Sequence, residues 1–428
     1  MFNELPLYGI YDVIIVGGGT SGFAAGIAAA KEGVKTLIIE EKAHLGGTST
    51  GGMISQFMGF VNGETTKDQK GIFGDLLKRL IDMKASNGIE TIYLSGLKDM
   101  DVGASPYDSE ALKYAMDEMV KESGAKILFH TKAVGVYKED DEIKHLIIHN
   151  NQGLQRVQAK VFIDSSFHGS IAADAGCKWE IGDHEGNIQP GTLMYKMVDV
   201  DRKAYANLSQ EKRREIAKQG IDEGKMFVDN LLARALPNGV IYSNMSRVTV
   251  NPLDADGLSS SEIKAREQVN DISQFFIENV PGFENAKLVS TGHFLGLRDS
   301  RRILGKYILT KDDIIDGTDF HDSIAASSYP IDIHDANGFS STLIKPKTGA
   351  FHIPYRCMIN EVKNLIVAGR CISADYEAHA CIRVMVTCIR VGQAAGLAAA
   401  ESVKSEIYAN EMDGTIIGGK LRKLGLPV

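Results

Sequence analysis

Residues 12–40 read DVIIVGGGTSGFAAGIAAAKEGVKTLIIE, and the order of residue types in this stretch decides the fold. Four apolar residues, Val13 to Val16, run into Gly17-x-Gly19-x-x-Gly22. A small-residue helical pattern follows, then Gly33, then a second apolar run that ends on Glu40. The spacing predicts one βαβ unit with an acid about twenty residues past the glycines, the arrangement that binds dinucleotides. Gly17 permits a tight turn, Gly19 lets backbone approach a pyrophosphate, and Gly22 lets helix and strand pack closely. Thr20 and Ser21 open the helix, whose first N–H groups lack intrahelical acceptors and face the phosphates. Glu40, with Glu41 beside it, is placed to accept hydrogen bonds from ribose hydroxyls.

The rest of the composition narrows the class. The chain has 428 residues, 44% hydrophobic and 24% charged, with 44 Gly and 10 Pro, which suits an α/β protein of two domains. Net charge is −8, and basic clusters such as Lys212-Arg213-Arg214 are short and mixed with acids, so a nucleic-acid surface is not expected. Five scattered cysteines form no CxxC and no metal-ligand spacing, which implies a reducing compartment and no metal. The N-terminus has no basic region followed by an apolar stretch, and no run reaches membrane-span length. A cytoplasmic protein is expected.

Beyond Glu40, a glycine-paired loop carries Gly46, Gly47 and Thr48. Helical periodicity predicts helices at 72–84 and 110–122, and alternation predicts strands at 126–137, 143–150 and 155–164. From about Cys177 to Tyr329 the pattern becomes more polar: a strand at 191–198, helices at 209–223 and 260–279, and another helix at 301–309. A buried strand then runs into Gly369, and a long helix covers 383–403. The implied division is 1–175, an inserted 176–344, and 345–428.

Taken together these segments resemble the FAD-dependent oxidoreductases related to the fumarate reductase and succinate dehydrogenase flavoproteins, in particular a broad bacterial family. The resemblance rests on the opening unit with Gly46-Gly47-Thr48, on Gly296-Leu-Arg298-Asp-Ser-Arg301-Arg302, and on Ser328-Tyr-Pro-Ile-Asp332-Ile-His334. It is most specific from Ile353-Pro-Tyr355-Arg356 through Gly369-Arg370 to Ile382-Arg383-Val-Met385-Val-Thr387. It implies a Rossmann-like FAD-binding domain, a parallel sheet with helices and a small β-meander, built from both ends of the chain, with an inserted α+β cap. Non-covalent FAD would be held by Gly17, Gly19, Thr20, Ser21, Gly22, Glu40, Glu41, Gly46, Gly47, Thr48, Val134, Ser165, Gly369 and Arg370. Met385 and Val386, at the start of the long helix, would face the flavin edge. Helix-end N–H groups stabilise negative charge there by roughly 0.3–2 kcal/mol.

On the substrate side, His379, in the loop Asp375-Tyr-Glu377-Ala-His379-Ala before the long helix, Arg383, His334, Tyr355 and Arg356, with His352, are the candidates to orient substrate or move a proton. Arg298, Arg301 and Arg302 are candidates for a carboxylate clamp or for pairing with Asp299. Two departures from the family stand out: Ser165-Ser166-Phe167-His168-Gly169 where a Thr-Gly-Asp turn is usual, and Val386 where proline is common. The leading expectation is hydride transfer between flavin N5 and a small organic substrate: alcohol or amine oxidation, or reduction of an activated C=C bond. NAD(P)H or another electron partner would have to bind at the capped face, because no second glycine fingerprint is present. A flavin monooxygenase and a tRNA-modification role are the rivals.

Overall fold

The computed structural model describes residues 4–93, 101–334 and 341–428. The opening unit forms as the spacing requires. Strand Leu7–Val16 pairs in parallel with Thr36–Ile39 in the register Val13↔Thr36 to Val16↔Ile39, and helix Thr20–Lys31 makes the crossover. Both strands are buried at this end, which explains a continuous apolar run in place of alternation. Gly17 turns the chain at φ +95°, where an added Cβ would lie 2.5 Å from the Ser165 carbonyl oxygen. At Gly22 a Cβ would lie 1.8 Å from the Gly17 carbonyl oxygen, so only glycine fits.

Seven strands make the central sheet. Its order runs Lys126–Leu128, Thr36–Ile39, Leu7–Val16, Gly153–Asp164, Glu142–Asn150 and Lys132–Glu139, with Leu365–Val367 also paired to Gly153–Asp164. Gly153–Asp164 therefore serves two partners along one edge. Its first half takes the antiparallel Glu142–Asn150, and Phe162 to Asp164 takes the returning C-terminal strand in parallel. The mixed α/β, Rossmann-like architecture follows from this sheet.

The two ends of the chain are joined by helix packing. Met385–Ser405 lies against Thr20–Lys31 through its glycine positions. A Cβ on Gly392 would sit 2.1 Å from the Ser21 carbonyl oxygen, and one on Gly396 would sit 2.2 Å from that of Ala25. The helices touch backbone to backbone, and no side chain can be interposed.

A separate sheet, ordered Ala233–Ala235, Ile241–Ser243, Tyr195–Val198 and Lys287–Thr291, is covered by helices Gln210–Asp222 and Ala255–Asn279. It has its own core, in which Tyr195, Met197, Ile272, Phe276 and Phe283 meet. That core runs from Leu193 to Leu297, whereas Ile303, Leu309, Ile314, Ile324 and Ile331 pack into the first core. The boundary placed at 344 from sequence thus lies well past the point at which the second core ends. Apolar spacing identifies a buried face but not the core it enters.

Two other expectations change. No helix covers 301–309: Arg302–Ile303 is a short strand paired with Trp179–Glu180, and the next helix is Lys311–Asp316, capped by Thr310 and Asp313. The buried Arg302 guanidinium is tied to the Gly182 and Ala374 carbonyls, which holds that segment extended. The stretch read as a loop before the long helix is itself helical, Tyr376–Ile382, because the Asp375 carboxylate caps it at Ala378 N. It bends by 92° into Met385–Ser405. Among the described residues, no single helix is long and apolar enough to cross a membrane.

The helix–helix contact makes a stability prediction. Gly392→Val should cost about 3 kcal/mol, the upper part of the overpacking range, because the obstructing atoms are backbone. Gly419→Ala, in open space on helix Gly414–Lys423, should be neutral or gain about 0.5–1 kcal/mol. Urea unfolding of both variants measures the difference.

Candidate functional site

Strand ends of the central sheet, the glycine loop and the start of the long helix open onto one cleft of about 430 Å³. Of the residues expected there, Gly17, Gly19, Thr20, Ser21, Glu40, Glu41, Gly46, Gly47, Thr48, Ser165, Gly369, Arg370 and Met385 line it. Gly22 sits beneath the turn, packed on Gly17. Val386 is buried in the helix and does not line the cleft. Val134 is 44% exposed, and its neighbour Ala133 lines the cleft instead. These residues start the strand Lys132–Glu139 rather than end one, so alternation puts Ala133 on the other face from Val134.

The walls are built by backbone. Gly46 N–H donates to the Gly18 carbonyl at 2.8 Å, and Gly19 and Gly46 form a parallel bridge. The space beside Gly19 is open, so a ligand can reach its backbone. Glu40 accepts from Gly18 N–H at 2.7 Å and from Lys42 N–H at 2.8 Å, one bond to each oxygen. Burial pushes its carboxyl up, and the two backbone donors act against that shift. The Glu40 carboxylate thus ties the glycine turn to the end of the second strand and still presents unused lone pairs to the cleft.

Two hydroxyls test whether the cleft suits a pyrophosphate. Ser21 Oγ and Ser165 Oγ are buried, line the cleft and have no hydrogen-bond partner among the described residues. An orphaned buried hydroxyl costs free energy unless a ligand or water meets it. The long helix, which reaches the same cleft at Met385, opens at Val384 with no side-chain cap, and the N–H groups of Met385, Val386 and Thr387 find no acceptor among the described residues. These donors, with open backbone at Gly19, suit an anionic dinucleotide.

The departure at residues 165–169 proves to be a wall. Phe167 adopts φ +65° and carries the Arg370 guanidinium over its ring at 3.8 Å. Arg370 Nη1 donates to the Leu297 carbonyl at 2.9 Å, which links this wall to the second domain. His168 Nδ1 lies 2.8 Å from Ser300 Oγ. Burial, then the Arg370 and Arg301 cations, pull the His168 ring down to about 4.

The proposed catalytic residues separate into two groups. Arg383 lines the cleft; its Nη2 donates to the Asp332 carbonyl at 2.9 Å and lies 3.4 Å from Gln189 Oε1. His334 Nε2 is 3.5 Å from Asp332 Oδ1, so His334 and Arg383 share this acid, and burial pushes the His334 ring down to about 3. Neither His334 nor the other three belongs to the cleft lining. Tyr355 is buried with its hydroxyl donating to the Ala409 carbonyl at 2.7 Å. Arg356 is paired through two nitrogens with Asp322 at 3.0 and 3.2 Å and lies over Tyr307. Both are fully engaged in packing, and the loop after strand Phe351–Pro354 turns them toward residues 307–322 and 409. His352, on that strand, does not line the cleft. His379 is 1% exposed within helix Tyr376–Ile382, with Nδ1 unpartnered.

Several lining residues escaped the sequence reading: Lys42, Thr131, Phe294, Leu295, Leu297, Glu262 and Cys388. Glu262, on the long helix Ala255–Asn279, accepts from Leu295 N–H at 2.6 Å and so closes the cleft from the second domain. No local pattern distinguishes these residues from ordinary helix and loop residues.

The His168 shift has a signed consequence. Its folded value lies below the ordinary value near 6.5, so the unfolded chain binds the extra proton. The contribution is fully present above about pH 6.5 and is lost as pH falls toward 4. Relative to the native chain, His168→Gln should flatten the stability profile of the ligand-free protein across that window, as measured by denaturant melts at stepped pH.

Comparison with known proteins agrees with this geometry. The family model for FAD dependent oxidoreductases matches residues 12–423. Digeranylgeranylglycerophospholipid reductase of Thermoplasma volcanium is 25% identical over 284 residues, 65% of this chain and 64% of that protein. The Thermoplasma acidophilum protein of the same name is 26% identical over 286 residues, with the same coverage. The matched region is thus less than two thirds of the length of these relatives. Among solved structures, a geranylgeranyl bacteriochlorophyll reductase-like protein from Thermoplasma acidophilum superposes with TM-score 0.52 at 17% identity, covering 97% of this chain and 84% of that one. A flavin-dependent brominase superposes with TM-score 0.52 at 13% identity, covering 97% and 83%, so the fold is shared well beyond sequence similarity. With its cleft, its fingerprint and a match that spans nearly its whole length, the chain belongs to the FAD-dependent oxidoreductase family, and it is an enzyme with FAD as its cofactor.

Proposed function

We propose that the enzyme binds FAD non-covalently and transfers a hydride between flavin N5 and a small organic substrate admitted between the two domains. The observation that carries this reading is that Arg383 and Met385 stand on one cleft wall, at the uncapped start of the helix Met385–Ser405. FAD supplies the two-electron centre. The chain supplies the rest. The free N–H groups of Met385 to Thr387 stabilise negative charge beside the helix end. Arg383, held by the Asp332 carbonyl, presents a fixed positive charge to the substrate. Phe294, Leu295 and Leu297 exclude water from the face opposite the helix.

The reductase relatives favour the reductive direction, with electrons delivered by NAD(P)H or another donor at the capped face. His334, sharing Asp332 with Arg383, is the residue we assign to hold or move a proton near the substrate; buried as it is, it rests neutral. His379 is assigned a supporting role behind Arg370 and Arg383, because its ring is enclosed.

The test begins with the purified protein reconstituted with FAD. Flavin absorption bands should appear and should be lost on acid precipitation of the protein, as the released cofactor stays in solution. Bands that remain with the pellet would refute non-covalent binding, and an absence of bands would refute the site. Anaerobic photoreduction followed by a substrate panel then reads reoxidation. Arg383→Gln should keep its FAD and slow reoxidation on the order of 10²-fold. Ser21→Ala and Ser165→Ala should each weaken FAD binding about fivefold, for about 1 kcal/mol per hydrogen bond, without lowering the stability of the ligand-free protein. Fluorescence titration with FAD measures this.

A further inference from the structure

Behind the cleft wall at Leu297 and Arg383 lies a group of buried cations with too little negative charge. Arg298 follows Leu297 and is 7% exposed; Arg247 is also 7% exposed. Both guanidinium groups converge on one neutral atom, Thr192 Oγ1, at 3.0 Å from Arg298 Nη1 and 2.9 Å from Arg247 Nη1. Their remaining acceptors are the Pro190, Asn244 and Ser246 carbonyls and the Asn244 side-chain oxygen. Among the described residues, no carboxylate pairs with either arginine, Arg247 Nε has no partner, and Arg298 uses only Nη1. The nearest acid, Asp332, is already shared by the Tyr329 hydroxyl, His334 and Arg383. The other acid acting on Arg247, Asp229, is exposed. Gln189 Nε2, beside Arg383, is a further buried donor without an acceptor.

Burial pulls Arg247 down to about 10 and holds Arg298 well below its ordinary value, as expected for cations short of counter-charge. Buried charges are normally paired, because an unpaired one costs several kcal/mol. Three arginines around one buried carboxylate, with unused donors on Arg247, Arg298 and Gln189, have the charge and the donors to pair one more anion. Such an arrangement matches a planar carboxylate, which takes two parallel N–H bonds from a guanidinium.

We infer that the substrate is a small organic acid whose carboxylate is gripped by Arg298 and Arg247, with Thr192 fixing the two guanidinium groups and Arg383 standing between that anchor and the flavin. This deepens the hydride-transfer reading and rests on it. The carboxylate is bound and not altered; it fixes which carbon faces the cofactor, and Arg298, Arg247 and Thr192 are the residues that set specificity.

The experiment uses the FAD-loaded enzyme and does not require turnover. Isothermal titration compares malonate and phenylacetate with the neutral malonamide and phenylacetamide. At least one acid should bind, and at least tenfold more tightly than its amide. Arg298→Gln should weaken that acid by tenfold or more at unchanged FAD content, and Arg298→Lys should recover part of the loss. With no ligand added, Arg298→Gln should melt at or above the native temperature, since it removes an uncompensated buried charge. Should Arg298→Gln fail to fold, Arg247→Gln carries the same expectations, and Thr192→Val carries the loss of acid binding alone. Equal binding of acids and amides, no acid binding below the order of 10 mM, or full acid affinity in a destabilised Arg298→Gln protein would each overturn the proposal. Failure of the hydride-transfer reading shows separately, as a missing flavin spectrum or a flavin that no substrate reoxidises.

Discussion

The backbone contact between helices Thr20–Lys31 and Met385–Ser405 is the constraint on which the remaining structure depends. Gly392 and Gly396 bring the second helix onto Ser21 and Ala25 with no side chain between them. The same approach brings both helix starts to the cofactor cleft, because Ser21 and Met385 each line it. A helix held a side chain further away would take the Met385 end out of reach of the glycine turn. The long strand Gly153–Asp164 strengthens this closure by pairing with both the N-terminal strand and the returning Leu365–Val367.

Around that closed frame, the second domain is tied to the first by polar links at the cleft rim. Arg370 reaches the Leu297 carbonyl, and His168 meets Ser300. Each link pairs a residue of one domain with a neighbour of the apolar wall contributed by the other. The cleft is therefore polar where the Rossmann-like sheet ends and apolar where the second domain covers it. A dinucleotide with a charged middle and a planar redox ring suits that polarity. The buried arginines sit on the far side of the apolar wall, where a charge is costly unless something meets it.

How much of this was legible in the sequence follows from the range over which each signal acts. Gly17, Gly19, Gly22 and Glu40 lie within one local unit, so spacing alone implied the turn, the phosphate-facing helix start and the acid. Gly46-Gly47 and Gly369-Arg370 were legible through the resemblance, since strand-to-loop glycines in that pattern have few other uses. Tyr355 and Arg356 lie in an equally specific segment, yet the structure commits them to Ala409 and Asp322. A motif shows that a residue is constrained, not whether a neighbour or a ligand constrains it. Val134 and Ala133 differ only in which face of a strand each occupies, and the strand's starting point decided that.

The resemblance implied the return of the C-terminal segment to the first domain; the sequence by itself determined the βαβ unit and the dinucleotide fingerprint. These depend on backbone geometry that few residue types other than glycine permit, and on apolar periodicity within some thirty residues. Only the tertiary structure decided which residues of 176–344 join which core, and that His379 is enclosed in a helix. It alone brought Arg247, Arg298 and Arg383 together around a single buried acid. Those outcomes depend on contacts between residues far apart in the chain, for which no local pattern carries a signal. Charge balance in a buried site is a sum over neighbours in space, and the chain does not disclose its neighbours until it folds.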